Sequence, residues 1–376
     1  MIIEKVDIWH LNCRFRYPFK HKLATHTGSD NLVVRLTTDE GNCGYGEGIP
    51  RDFVTGESLQ SSLNYLQHNV GPVILGFPAV SPATLLSSLR LLQDQCAVAT
   101  SPGAFCALET AWLDAAGQTW GQSLANLLGS RAEGTVIYSA VLPLAAGPKL
   151  TQFLQLVLAQ GMRYVKLKVG EDNDLETLTQ ARRELGEEVD LRVDANGAWS
   201  ATEAIARLHE MVPFRISAVE QPVAKEDFEG LRQVQEALDI PVIADESVCT
   251  MEDAQRLIHL QACQMFNLRL SKMGGITSAI RIKEAAEAAG IRCQLGCQVG
   301  ETSILAAAGR HFAFTQGPLT HLEGSFAPFL LTRDPVQEPV AFGRGGLGLP
   351  LAGPGLGVRV LEDVLDEMAV SRATLS

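Results

Sequence analysis

The sequence predicts a closed parallel (β/α) barrel preceded by a separate α+β unit, and three observations predict it. First, short apolar strands recur about every 26 residues from position 136: "VIYSAVL" (136–142), "YVKLKV" (164–169), "DLRVDAN" (190–196), "ISAVEQP" (216–222), "PVIADES" (241–247), "MFNLRLSK" (265–272), "RCQLGC" (292–297) and "LTHLEG" (319–324). Second, stretches such as "ATEAIARLHEMV" and "GITSAIRIKEAAEAAG" lie between them, with apolar residues at helical spacing and often a Gly at the stop. Third, ionisable residues stand at the same place in successive repeats. Eight strands alternating with helices close into a barrel. An open doubly wound sheet is the alternative, but no Gly-rich dinucleotide turn joins a strand to a helix here.

The α+β unit spans residues 1–130, where "VDIWHLNCRFRYPF" and "NLVVRLTTDEGNCGYGEG" read as antiparallel strands and "SPGAFCALETAWLDAAGQTWGQSLANLLG" as helix. The barrel takes residues 131–328. Residues 329–376 form a C-terminal segment in which "GRGGLGLPLAGPGLGV" predicts loops and short hairpins. A literal G-x-G-x-x-G falls there at Gly343, Gly345 and Gly348, with Pro350 close behind and no helix to follow, so it reads as a turn.

Composition narrows the function. The chain has 376 residues, 46% hydrophobic and 20% charged, as a large globular core requires. A net charge of −12 argues against nucleic acid as a partner, since counterion replacement needs basic surface. No apolar run is long enough to cross a bilayer, and "MIIEKVDIWHLN" lacks the features of a signal peptide. The expectation is a cytoplasmic protein with a small-molecule partner. Eight cysteines without a C-x-x-C pair read as free structural thiols.

In "YVKLKVG" (164–170), Val165, Leu167 and Val169 share one strand face and Lys166 and Lys168 share the other. Taken alone, that face would be solvated. Barrel phase changes the reading, because functional residues gather at the carboxyl ends of barrel strands. Those ends carry Lys166 and Lys168, then Asp194, Glu220, Asp245, Lys272 and Glu323. From Lys168 the steps to Asp194, Glu220, Asp245 and Lys272 are 26, 26, 25 and 27 residues. Three convergent carboxylates repel unless a cation lies between them, and an all-oxygen set suits a hard divalent ion, Mg²⁺ first and Mn²⁺ second. Strands 2 and 6 of eight stand on opposite sides, so Lys168 and Lys272 are expected to face each other across the metal. That suits proton transfer at a carbon α to a carboxylate, with the metal stabilising the enediolate. A lysine base must shed a proton held with an ordinary pKa of about 10.4; Lys166, two residues away, is expected to lower that of Lys168.

K-x-K at 166–168, "VDAN" (193–196), "VEQP" (219–222), "ADES" (244–247) and "SKMGG" (271–275) resemble the enolase superfamily, and its muconate lactonizing enzyme subgroup in particular. "GYGEG" (44–48) and "PGLGV" (354–358) extend the resemblance over essentially the whole chain. It implies a (β/α)7β TIM-like barrel with an N-terminal α+β capping domain completed by the C-terminal segment. It also implies Mg²⁺ on Asp194, Glu220 and Asp245, acid/base roles for Lys168 and Lys272, and a homo-oligomer. Asn196 would support the ligands from the Asp194 face, while Glu246, next to a ligand, should point to the other face and is expected to be structural or, like Asn196, to support the ligands.

The shared motifs do not choose among cycloisomerases, o-succinylbenzoate synthases, N-succinylamino acid racemases and dipeptide epimerases. Racemisation or epimerisation of a dipeptide or N-acyl amino acid is the leading expectation, because opposed lysines suit a 1,1-proton transfer. Cycloisomerase or dehydratase chemistry is the alternative, and an idle carboxylate-binding protein comes last. Specificity is expected from the cap stretches 19–29 and 49–58, with Lys20, His26 and Arg51 as candidates for a distal anion. Gln298, Glu323 and Ser325 are further substrate-binding candidates, and Glu301 is expected to cap a helix. Dipeptide epimerases typically carry Asp-x-Asp at the end of strand 8, to receive the substrate ammonium; here the text is Glu323-Gly324-Ser325.

Overall fold

The structure is a computed structural model, and it describes residues 1–20, 25–79, 81–129 and 133–376. Positions 21–24 of the first cap stretch lie outside the described residues. Strands β1 (Ile3–Lys20), β2 (Thr25–Thr38) and β3 (Cys43–Gly48) form an antiparallel meander. The C-terminal strand Ala369–Leu375 adds to it beside β1. The last residues of the chain therefore complete the first sheet. Asp7 on β1 fastens this seam: it accepts from Thr374 Oγ1 at 2.6 Å and from Arg35 Nε at 3.1 Å.

"CGYGEG" explains how a helix lies so close to this sheet. Gly44, Gly46 and Gly48 alternate, so they share one face of β3. Helix α1 (Pro102–Trp120) crosses that face, and a Cβ on any of the three would overlap its backbone, at Ala115, Ala107 and Gly103 respectively. Between those glycines Glu47 projects to the other side and meets the barrel. Its carboxylate accepts from Thr302 Oγ1 at 2.6 Å and from the amide of Leu305 at 2.9 Å, at the N-terminus of helix Ser303–Thr315. Glu109 of α1 does the same for helix Ile276–Ala288, accepting from the amides of Ile276 and Thr277 at 2.5 and 3.3 Å. Carboxylates suit helix N-termini, where unpaired amides and the helix dipole favour negative charge. Two such contacts orient the cap over the barrel.

Seven parallel strands follow in sheet order: β4 (Ala140–Leu142), β5 (Tyr164–Lys168), β6 (Asp190–Asp194), β7 (Val219–Glu220), β8 (Val242–Ala244), β9 (Met265–Leu268) and β10 (Arg292–Leu295). The eighth predicted strand is reduced to a parallel bridge between Leu295 and Leu322. The amide of Ser139 reaches the carbonyl of Leu322 at 2.7 Å and closes the ring. Gly324 (φ 135°) and Ser325 (φ 58°) take the chain out of extended geometry there.

The first predicted strand divides. Val136–Ile137 pairs antiparallel with Leu347–Gly348 of the C-terminal segment, and only Ala140–Leu142 joins the barrel. The glycine motif at 343–348 is the turn that feeds this small ribbon; it holds one 3-10 turn, Arg344–Gly346, and no α-helix opens there. All eight cysteines are free thiols. Among the described residues no helix is long and apolar enough to cross a membrane.

Replacing Gly46 by Ala pushes a methyl group into the α1 backbone, which cannot move without opening the cap. The variant should lose about 3 kcal/mol of stability, read as a lower thermal unfolding midpoint.

Candidate active site

Alternation along each strand places two layers of side chains inside the barrel mouth. Lys168, Asp194 and Glu220 end β5, β6 and β7, and Asp245 lies one residue beyond β8. All three carboxylates are fully buried. Two residues earlier on β5 and β6, Lys166 and Arg192 form the layer beneath, together with Asn267 of β9 and Gln294 of β10. This layer grips Glu220: Oε1 accepts from Lys166 Nζ at 2.9 Å and Asn267 Nδ2 at 3.0 Å, and Oε2 from Gln294 Nε2 at 2.9 Å. Asp194 Oδ2 accepts from Lys168 Nζ at 2.6 Å, with Lys166 Nζ 3.3 Å away. Lys272 donates to Asp245 Oδ1 at 2.9 Å and to the carbonyl of Asn267 at 2.9 Å.

The lysines are not electrostatically alike. Burial alone would lower the Lys166 ammonium, but Glu220, Glu323 and Asp194 outweigh it and hold the group well above the usual lysine value. Lys166 is a fixed cation. Burial, reinforced by the charge of Arg269, brings Lys272 down to about 8. Burial would raise the Glu220 and Glu323 carboxyls, yet Lys166 and its neighbours hold both at about 2.

Several expected positions need correction. Lys272 is not on a strand: β9 stops at Leu268 and Lys272 sits on the single helical turn Leu270–Met273. Lys168 lines the main cavity, whereas Lys272 lines a neighbouring one beside Cys249 and Thr250 and meets the site through Asp245. Glu246 does not point away. Strand β8 has ended at Ala244, so alternation no longer applies; Glu246 lines the cavity and accepts from Asn196 Nδ2 at 3.0 Å. Asn196 in turn takes a hydrogen bond from Lys168 at 2.8 Å.

Glu301 caps no helix. It accepts from the amide of Gln298 at 2.6 Å, while Glu47 and Thr302 cap the helix that follows. Lys20 leaves the site: alternation on β1 turns Phe19 into the cavity and Lys20 out, 3.8 Å from Glu171. His26 and Arg51 do line the cavity, with the His26 ring 6.0 Å from that of Phe53. Arg51 builds wall, donating to Ser29 Oγ and to the carbonyl of Val299, both at 2.8 Å. Ser325 Oγ accepts from Arg310 at 3.1 Å. Gln298 is buried at the cavity wall, and its Nε2 has no acceptor among the described residues.

Arg192 and Arg269 are functional neighbours that the strand-end reading passed over. Arg192 is fully buried and donates to Glu323 at 2.6 Å. Arg269 lies against Asp245 and 3.7 Å from Glu220 Oε1. The signal was present: Arg192 precedes Asp194, and Asn267 precedes Arg269, by the same two-residue step that links Lys166 to Lys168.

The donor set fits a hard divalent cation. It is all oxygen, on three buried carboxylates at adjacent strand ends, and Glu246 Oε2 has no hydrogen-bond donor among the described residues; as they stand, with Lys168 on Asp194 and Lys272 and Arg269 on Asp245, no three acids among the described residues are gathered as a ready ligand set. Arg269 is the positive charge now set against Asp245.

A model of the enolase C-terminal domain matches residues 149–364, and a mandelate racemase/muconate lactonizing enzyme N-terminal model matches residues 3–129. The chain belongs to the enolase superfamily. Within it, the chain groups with the muconate lactonizing enzyme subgroup and is an isomerase. It is 28% identical to an N-succinyl-L-Arg/Lys racemase of Bacillus cereus, over 98% of each chain. It is 32% identical to an L-Ala-D/L-Glu epimerase of Clostridium acetobutylicum, over 95% of this chain and 99% of the relative. The crystal structure of a dipeptide epimerase from Cytophaga hutchinsonii, complexed with Mg and the dipeptide D-Ala-L-Val, superposes with a TM-score of 0.90 at 28% identity, covering all of both chains.

Glu323 separates two buried cations of this superfamily site. Glu323→Ala should cost about 3–5 kcal/mol, because Lys166 and Arg192 lose a shared partner. Thermal denaturation measures the loss, and Glu323→Gln should lose less than Glu323→Ala.

Proposed function

We propose that the protein interconverts the two configurations at the α-carbon of an N-substituted amino acid, a dipeptide or an N-acyl amino acid. The observation that carries this reading is that Lys168 holds Asp194 and Lys272 holds Asp245, so the two lysines flank the run of three carboxylates from its opposite ends. Asp194, Glu220 and Asp245 would hold Mg²⁺. A divalent ion there supplies positive charge to the substrate carboxylate as the α-proton leaves.

The chain's own residues do the rest. Lys166, Asn267 and Gln294 occupy Glu220 from below, so its remaining lone pairs face the mouth. Asn196 bridges Lys168 and Glu246 and fixes the lysine's position. One lysine, as the neutral amine, takes the proton from one face, and the other, as the ammonium, returns one to the opposite face. Lys166, held cationic by Glu220, Glu323 and Asp194, keeps a positive charge 3.3 Å from Asp194 Oδ2, the oxygen that Lys168 also holds. Ring closure of a muconate needs only one of the two lysines as a base, which makes the stereochemistry of exchange decisive.

The test is α-deuterium incorporation from D₂O by the Mg²⁺-loaded protein, followed by NMR on both enantiomers of each candidate. The wild type should exchange both. Lys168→Ala and Lys272→Ala should each lose exchange with one enantiomer by at least about 100-fold and keep it with the other. Ring closure of a muconate without α-exchange would refute the racemase reading.

A further inference from the structure

The end of the eighth strand segment carries information about the substrate. Glu323 is the acid of that segment, is buried, and faces the cavity. Both of its oxygens are engaged: Oε1 lies 2.6 Å from Arg192 and 2.8 Å from Lys166, and Oε2 accepts from Lys166 at 2.9 Å. Glu323 is thus shared between two fixed cations, of which Lys166 also meets Glu220 and Asp194. A third cation brought to this carboxylate would meet Lys166 and Arg192 at close range in a buried setting, where like charges repel strongly. Ser325 offers no charge compensation, because its hydroxyl is neutral and already accepts from the Arg310 cation.

Two other carboxylates line the same cavity, each with a partner of its own. Glu301 holds the amide of Gln298, and Glu246 sits beside Asn196 and Lys168, on the metal side.

What the wall offers instead is apolar surface and a spare donor. Phe326, Phe329 and Phe342 follow the Glu323 segment and pack on one another, with ring centroids 6.1 Å apart for Phe326–Phe342 and 5.3 Å for Phe329–Phe342. Phe19, Phe53 and Leu156 line the same cavity. Leu156 and Phe329 are 62% and 43% exposed, more than isolated core residues of this size would be. Gln298 Nε2, buried and without an acceptor among the described residues, suits a carbonyl oxygen. Arg51 commits three of its five N–H donors, both of those on Nη2 among them, to Ser29, Pro50 and Val299, which makes it a wall residue first.

We infer that the substrate is an N-acylated α-amino acid whose acyl group is apolar and bears no ammonium. The acyl carbonyl accepts from Gln298, and its apolar body covers the aromatic wall. This rests on the racemase reading and selects within it: free-ammonium dipeptides are the poorer substrates.

The test holds the reacting residue constant and varies only the acyl group. In D₂O with Mg²⁺, kcat/KM for α-exchange is compared for 3-phenylpropanoyl-L-Ala, L-Phe-L-Ala, acetyl-L-Ala and succinyl-L-Ala. The first two differ only by the ammonium. The first should exceed the second by at least about 100-fold and the other two by about 10-fold. Phe329→Ala, a change at an exposed position, should raise KM for 3-phenylpropanoyl-L-Ala about 10-fold more than for acetyl-L-Ala.

Equal or faster exchange of L-Phe-L-Ala would overturn the exclusion of the ammonium. A preference for succinyl-L-Ala would overturn the apolar acyl group. Exchange with none of the four, alongside lactone formation from a muconate, would instead remove the racemase reading itself.

Discussion

Charge balance in a place that water does not reach is the constraint on which this structure depends. Asp194, Glu220, Asp245 and Glu323 are buried together, and none could remain ionised without cations of the same depth. Lys166, Arg192, Lys168, Lys272 and Arg269 supply them, each from a different point around the ring. Buried pairs of this kind add little net stability, but they fix geometry because every displaced partner leaves a bare charge. The grip of Lys166, Asn267 and Gln294 on Glu220 is the clearest case. It aims a carboxylate that the strand alone would leave free to turn.

The cap extends the same economy to the edges of the site. Three alternating glycines on β3 bring α1 against the sheet, and Glu47 and Glu109 then plug two barrel helices at their N-termini. The closure of the first sheet by residues 369–375 makes the C-terminus part of this cap. Cap and mouth are therefore held in register, so that Phe19, Phe53 and His26 can form part of a cavity whose floor belongs to the barrel.

Much of this was legible in the sequence, for a physical reason. A strand alternates strictly, so a 26-residue repeat with ionisable groups in phase forces Lys168, Asp194 and Glu220 to the same mouth. The reading failed where the strand had already stopped. Glu246 and Lys272 lie beyond the ends of β8 and β9, and neither obeys alternation. Ser325 sits in left-handed backbone two residues after Glu323. The pairing of Glu323 with Arg192 joins residues 131 apart, and no local pattern encodes it. The charge of Lys20 points to a substrate contact, but alternation on β1 turns its neighbour Phe19 into the cavity instead.

The central claim is that three carboxylates, aimed by the layer of side chains beneath them, form one site for a divalent cation. Isothermal titration of the full chain with Mg²⁺ tests it most directly. One ion should bind per chain, and Glu220→Gln should weaken it by at least about 100-fold, whereas the exposed-surface change Glu229→Gln should not. Absence of binding to the wild-type chain, or undiminished binding by Glu220→Gln, would contradict the account.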